Sequence, residues 1–273
     1  MRLLSGSARL AGVIGWPVAH SRSPKIHGAW LERYGIDGAY VPMAVQPGDF
    51  EMVVRGLAAA GFAGVNVTIP HKEAAFGLAD ERDAAVRSCG AVNTLVFRDG
   101  RILGSNTDGY GFVANLRAHG VDPAAGPALI LGAGGAARAI GASLLAEGAE
   151  VVFCNRTKLR AEILAVTVGG TALAWEEREL FLGNFALVVN TTSLGMAGQP
   201  ALEMSLARAR AALVVADIVY APLETALLAE ARARDLRAVE GLGMLLHQAV
   251  PGFAAWFGVT PAVDAALYEA VAG

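Results

Sequence analysis

Short apolar runs alternate with amphipathic stretches along this 273-residue chain, the rhythm of strand followed by helix. In the first hundred residues the pattern predicts strands over 10–14, 40–45 and 65–69, with helices over 23–34 and 49–60. Helix 23–34 opens with Ser23 as a capping residue and Pro24 at its first position, where proline's missing N–H costs nothing. Residues 91–97 and 101–103, joined across Asp99-Gly100, read as a hairpin. A second series begins near Asp108 with helix 109–118, and its centre is strand 128–131, Ala-Leu-Ile-Leu, running into Gly132-Ala133-Gly134-Gly135. Strands 151–154, 186–190 and 213–217 alternate there with helices 136–147, 159–166 and 224–234. That alternation predicts a parallel sheet covered by helices on both faces, an α/β fold.

Composition narrows the classes of function. With 54% hydrophobic and 17% charged residues the chain supplies globular cores, and disordered or collagen-like classes are excluded. A formal net charge of −3 without a basic cluster argues against nucleic acid as a partner. Cys89 and Cys154 lie far apart and outside any C-x-x-C, so neither a disulfide framework nor a metal site is indicated. The mean hydropathy of +0.45 calls for a membrane check. The longest uncharged stretch, the 23 residues 241–263, carries four glycines, Pro251, Pro261, His247 and Gln248, which suit a helix buried in protein better than one in lipid. The N-terminal MRLLSGSARL has too short an apolar run for a signal peptide, and the reading is a soluble, cytoplasmic protein with a small-molecule ligand. Of 22 cationic residues only Lys25, Lys72 and Lys158 are lysines.

Gly132-Ala133-Gly134-Gly135-Ala136-Ala137 fits G-x-G-x-x-G/A with a strand before it and a helix after it. Glycines there let the backbone approach a pyrophosphate, and the helix N-terminus offers it unpaired N–H groups. An NAD site normally places Asp or Glu about 20 residues on, for the ribose 2′-hydroxyl. Here the second strand ends Cys154-Asn155-Arg156-Thr157, with Lys158 and Arg160 close behind. Guanidinium pairs with a 2′-phosphate through charge-assisted hydrogen bonds, so the expected cofactor is NADP.

Four polar strings fall where strands and helices meet: Ser21-Arg22-Ser23, Asn66-Val67-Thr68-Ile69-Pro70-His71-Lys72, Gly90-Ala91-Val92-Asn93-Thr94 and Asn106-Thr107-Asp108-Gly109. Serine hydroxyls donate to a carboxylate, while Asn66, Thr68, Asn93 and Gln248 offer donors and acceptors suited to a polyol. Lys72 stands in the expected first turn of a helix, an unfavourable place for a cation, and Asp108 is the natural group to hold it. With the glycine turn, Asn190-Thr191-Thr192-Ser193-Leu194-Gly195-Met196, Val219-Tyr220-Ala221-Pro222-Leu223 and 241–248, these strings resemble the shikimate dehydrogenase family over nearly the whole chain.

The resemblance implies a substrate-binding α/β domain, residues 1–107 with returning C-terminal helices in 240–273, plus a doubly wound parallel-sheet NADP-binding (Rossmann) domain over 108–239. Helix 242–257 would pack back on the first domain. It further implies NADP-dependent reduction of 3-dehydroshikimate to shikimate, with Lys72 and Asp108 as the catalytic pair. Ser21, Ser23, Asn66, Thr68, Asn93, Asp108, Tyr220 and Gln248 would bind substrate. Gly132, Ala133, Gly134, Gly135, Ala136, Asn155, Arg156, Thr157, Lys158, Arg160, Ile218 and Gly241 would contact the cofactor. A monomer or homodimer is implied. The alternatives are a quinate or dual-specificity dehydrogenase, against which Ser23 and Arg156 stand, and a non-catalytic NADP-responsive binding protein, against which Lys72 and Asp108 stand.

Overall fold

The computed structural model describes residues 3–272. They form two compact units, 1–107 with 248–273, and 108–247. The first unit contains β1 (Arg9–Gly15), α1 (Ser23–Arg33), β2 (Gly38–Ala44), α2 (Phe50–Ala59), β3 (Gly64–Val67), α3 (Lys72–Leu78), β4 (Glu81–Arg82), α4 (Ala84–Cys89), β5 (Thr94–Arg98) and β6 (Arg101–Ser105). The second contains α5 (Asp108–Ala118), β7 (Ala128–Leu131), α6 (Gly135–Ala146), β8 (Val151–Asn155), α7 (Lys158–Val168), β9 (Thr171–Ala174), β10 (Leu187–Asn190), β11 (Val214–Asp217), α8 (Ala226–Ala233) and β12 (Arg237–Val239). Helix α9 (Gly241–Phe257) begins in the second unit and from Gln248 belongs to the first, which α10 (Ala265–Ala272) completes.

The first unit is a mixed sheet of order β2-β1-β3-β5-β6-β4. β1 pairs parallel with β2 and β3, whereas β5 runs antiparallel to both β3 and β6. The β5–β6 hairpin turns through Asp99 and Gly100, both at positive φ, as a two-residue turn requires. Its core gathers Ile14, Val54, Val65, Val67, Ala75, Val92 and Leu95. Two buried tryptophans satisfy their N–H groups on backbone carbonyls, Trp30 on Ala262 and Trp256 on Leu95, both at 3.0 Å, which ties the C-terminal segment to α1 and β5.

The second unit is an all-parallel sheet of order β12-β11-β10-β7-β8-β9, so in chain order the strands run 3-2-1-4-5-6 across the sheet. β7 is buried at all four residues. Ala128 and Ile130 join the core under Phe112, Ile140 and Phe153, while Leu129 and Leu131 join the opposite core with Val188, Val215 and Leu228. Alternate side chains therefore feed two apolar layers, which is why this strand reads as a continuous apolar run. The strand order reverses between β7 and β10, the switch point at which open sheets of this kind bind ligand.

Several elements depart from the sequence expectation. Ser23 is not the cap of α1: the cap position is Arg22, without a capping side chain, and Ser23 is the first helical residue. The strand expected over 65–69 stops at Val67, where the chain turns and the His71 N–H donates to Thr68 O at 2.9 Å. β4, β9 and β12 are short strands whose side chains are only partly buried, apart from Val239. They lack the alternating apolar signal of a half-buried strand. α10 is held by Asp264, which accepts from Leu267 N at 3.0 Å and pairs with Arg33 at 2.9 Å. Among the described residues no helix is long and apolar enough to cross a membrane, and no cluster of His, Cys, Asp or Glu could hold a metal.

Candidate active site

The first unit carries a continuous polar array at the ends of β3, β5 and β6. Asn66, on β3, is buried, and its Nδ2 donates to Asn93 O at 3.2 Å and to Thr94 Oγ1 at 3.1 Å. Asn93, also buried, accepts on Oδ1 from Thr107 N and from Thr94 Oγ1, each at 2.9 Å. Its Nδ2 donates to Thr107 Oγ1 at 3.1 Å and reaches Gln248 Oε1 at 3.5 Å. Thr107 Oγ1 also reaches Gln248 Oε1, at 3.4 Å. Three of the expected substrate residues, Asn66, Asn93 and Gln248, thus share one hydrogen-bonded network. Buried amides in such a network are fixed in orientation, because each rotated alternative would set like groups face to face.

Lys72, Thr68, Ser21 and Ser23 belong to the same unit. Lys72 is the first residue of α3, half-buried, and its carbonyl accepts from Val92 N at 3.0 Å, fastening the helix start to the segment that carries Asn93. Thr68 donates its N–H to Ile14 O at 2.9 Å. Ser21 Oγ accepts from Ser23 N at 3.3 Å, so Ser21 rather than Ser23 does the local capping work. Ser23 is buried, and it pulls the pKa of the Tyr40 phenol down against the larger upward effect of burial. The neighbouring histidines have packing roles. His71 bonds Val45 O at 2.8 Å and stacks on Phe50, while His27 is sealed among aromatic rings, where burial pushes its pKa down to about 3 against a smaller upward pull from the Asn66 side chain.

The second unit presents the other candidate residues. Gly132 leaves β7 at φ +116, and a Cβ there would stand 2.6 Å from Thr191 Oγ1, so only glycine fits. Gly134 and Gly135 are exposed, with nothing within 4 Å of an added Cβ, and no side chain caps α6. Ala133 and Ala136 flank them, half-buried. Bare backbone at the start of a twelve-residue helix leaves N–H groups from which an anion could accept. At the end of β8, Asn155 Nδ2 donates to Thr157 O at 3.0 Å. Arg156, Thr157, Lys158 and Arg160 are all exposed, and Thr157 makes no side-chain cap on α7. One ion pair, Lys158 to Glu162 at 3.7 Å, offsets part of this charge. Cations gathered at a helix N-terminus repel its dipole and favour a polyanion.

A buried carboxylate organises the remaining loops. Asp217, at the end of β11, accepts on Oδ1 from Asn190 Nδ2 and Val219 N, each at 3.0 Å, and on Oδ2 from Thr225 Oγ1 at 2.8 Å. Burial raises its pKa, and these three donors oppose the rise. The loop it holds carries Ile218 and Tyr220, both half-buried, and Ile218 N donates to Asn190 O at 3.1 Å. Gly241 opens α9 so close to this loop that a Cβ would sit 2.5 Å from the Ile218 carbonyl. Asp108 is the first residue of α5, also half-buried. The residues not anticipated from sequence are Thr107, Thr94, Tyr40 and Asp217. Thr107 and Thr94 stand inside two of the polar strings, but an isolated threonine carries no periodic signal.

A doubly wound sheet in 3-2-1-4-5-6 order, with a bare glycine turn at its switch point and a cationic, carboxylate-free second helix start, defines a nucleotide-dependent oxidoreductase of the NADP type. Comparison with known proteins agrees. Residues 13–95 match the shikimate dehydrogenase substrate binding domain, and residues 241–267 the shikimate 5′-dehydrogenase C-terminal domain. The chain is 67% identical over 270 residues to a shikimate dehydrogenase (NADP(+)) of Acidiphilium cryptum, covering 99% of this chain and 98% of the relative. It is 56% identical over 281 residues to that of Rhodospirillum rubrum, covering 99% of each. A solved shikimate 5-dehydrogenase from Thermus thermophilus in complex with NADP(H) and shikimate superposes with a TM-score of 0.88 at 37% identity, over 97% of this chain and 98% of that one. The chain belongs to the shikimate dehydrogenase family.

Proposed function

We propose that this chain catalyses the reversible NADP-dependent reduction of 3-dehydroshikimate to shikimate. The observation that carries the reading is the hydrogen-bonded array of Asn66, Asn93, Thr107 and Gln248 in the unit where Lys72 opens a helix. Amides and hydroxyls held in fixed orientation suit a ring with several hydroxyl groups, and Ser21 and Ser23 offer hydroxyls for its carboxylate. Tyr220 supplies a further phenol for that carboxylate.

Oxidising an alcohol removes a hydride from carbon and a proton from oxygen. NADP+, when bound, supplies the hydride acceptor. The fit of this chain to that cofactor rests on Gly132–Ala136 as the pyrophosphate cradle and on Asn155–Arg160 around the 2′-phosphate, with Ile218 and Gly241 as further contacts to the cofactor. The proton is the task of the protein. Lys72 takes it from the substrate hydroxyl in oxidation and returns it in reduction, and Asp108 orients both the ammonium and the hydroxyl. The lysine matters in a chain whose other cations are almost all arginine, because guanidinium does not release a proton in this pH range. The reading takes the enzyme as soluble and cytoplasmic, a monomer or homodimer.

Steady-state kinetics of Lys72→Ala with shikimate and NADP+ test these roles. Turnover is expected to fall about 10²- to 10⁴-fold, the usual contribution of a general acid or base, while shikimate binding measured by calorimetry is retained. Near-normal turnover removes Lys72 from the chemistry.

A further inference from the structure

We infer that Tyr40 is a positioning residue that holds Asn66 in place within the substrate array by donating to its side-chain oxygen; this rests on the proposed reading of Asn66, Asn93 and Gln248 as substrate contacts. Asn93 O is a backbone carbonyl and can only accept, so the Asn66 side-chain atom 3.2 Å from it must be the NH2 group. Asn66 Oδ1 is then the atom that faces Tyr40, at 2.6 Å from the phenol oxygen. Carboxamide oxygen has no proton, so Tyr40 donates its only one to Asn66. On the far side Thr94 Oγ1 accepts from Asn66 and gives its own proton to Asn93 Oδ1. That leaves the Asn93 NH2 to donate to Thr107 Oγ1 and toward Gln248 Oε1.

The result is a one-way chain, Tyr40 to Asn66 to Thr94 to Asn93 to Gln248. Tyr40 suits this part. Its side chain is buried and its ring stacks on His27 at 3.9 Å with 9° between planes. Burial holds the phenol protonated, against a smaller downward pull from Ser23. His27 is held in turn by Trp30, Phe253 and Trp256. A phenol clamped this way cannot swing away from Asn66 when a substrate binds.

The test is Tyr40→Phe beside Thr94→Val, with Tyr34→Phe as a control that removes a phenol bonded to Ala262 N elsewhere in the same unit. In Tyr40→Phe the Asn66 oxygen loses its donor, and KM for shikimate is expected to rise about 10-fold, with kcat and KM for NADP+ changed less than about 3-fold. Thr94→Val, an isosteric change at the first residue of β5, is expected to raise shikimate KM about 3- to 10-fold. Because both act through Asn66, the double variant should lose less than the product of the two single effects. Tyr34→Phe should leave shikimate KM unchanged. Unchanged shikimate KM in both single variants overturns the inference, as do effects that multiply in the double variant or a parallel loss in kcat and in both KM values, the mark of a merely structural role. If Tyr40→Phe does not fold, Thr94→Val decides by the same split. Failure of wild-type protein to oxidise shikimate at all would instead remove the reading on which the inference stands.

Discussion

The two units prepare for their ligands by opposite means. The first builds its surface from buried side chains already bonded to one another, with Asn66, Asn93, Thr94 and Thr107 each less than a tenth exposed. The second offers bare backbone at Gly134 and Gly135 and exposed cations at Arg156, Lys158 and Arg160. The difference follows from the ligands. A small polyol must be distinguished by the direction of each hydroxyl, which requires donors and acceptors fixed in advance. A pyrophosphate and a 2′-phosphate are recognised mainly by charge and close approach, which glycine and arginine provide without a network. The first unit should therefore be sensitive to changes in single polar atoms, the second to charge and backbone space.

Lys72→Ala is the most severe change expected, because it removes a reacting group rather than a binding one. Next comes Arg156→Asp, which sharpens the contrast by reversing a charge and disturbing no packing. Preference for NADP over NAD, read as the ratio of kcat/KM values, should fall about 10- to 10²-fold, the worth of charge-assisted hydrogen bonds, while shikimate KM is unaffected. An equal loss for both cofactors would show that the cations do not read the 2′-phosphate. Two glycine substitutions separate backbone space from backbone strain. Gly132→Ala forces a positive-φ residue with a Cβ against Thr191 and should destabilise the protein by about 1–3 kcal/mol, visible as a lower Tm. Gly134→Ala meets no protein atom, so Tm should change little while KM for NADP+ rises. Matching Tm losses in the two would mean that the second glycine is there for the fold.

The smallest effect lies away from both ligands. His119 and Glu240 pair at 3.4 Å in the second unit; the Glu240 bond raises the histidine pKa and the His119 bond lowers the carboxyl pKa, each against a smaller burial effect. The histidine contribution is complete below its ordinary value of 6.5 and disappears as pH rises through the raised folded value. The carboxylate contribution is complete above its ordinary value of 4.5 and disappears as pH falls through the lowered one. Wild type should therefore exceed His119→Gln in stability most between those two values, by a few tenths of a kcal/mol given the partial exposure, and the gap should narrow toward pH 8. Melting curves at pH 5.5 and 8 check this, and a gap that widens at pH 8 reverses the assignment.

The fold was most legible where burial is two-sided. β7, with the same bounds in sequence and structure, is an apolar run because both of its faces feed cores. The β5–β6 hairpin was legible through Asp99-Gly100. Edge strands such as β4 and β9 were not, since neighbours on one side only leave their side chains partly exposed and the alternation fades. For the site, strings of motif residues pointed to Asn66, Asn93 and Gln248, and Gly132 stood out as the turn glycine. Tyr40 was hidden within strand β2, where an aromatic residue is expected for packing alone, and Asp217 within an apolar strand end. Their importance lies in hydrogen bonds to residues 26 and 27 positions away in sequence, which no local pattern encodes. Ser23 was misread as a cap because Ser-Pro at a helix start fits that role. The structure gives the local bond to Ser21 and buries Ser23 as the first helical residue.

The most direct measurement is the initial rate of wild-type protein with each pairing of shikimate or quinate and NADP+ or NAD+, followed by the absorbance of the reduced nicotinamide. The account predicts the highest kcat/KM for shikimate with NADP+, with a loss when either component is exchanged. Comparable rates on quinate, or a preference for NAD+, would contradict it.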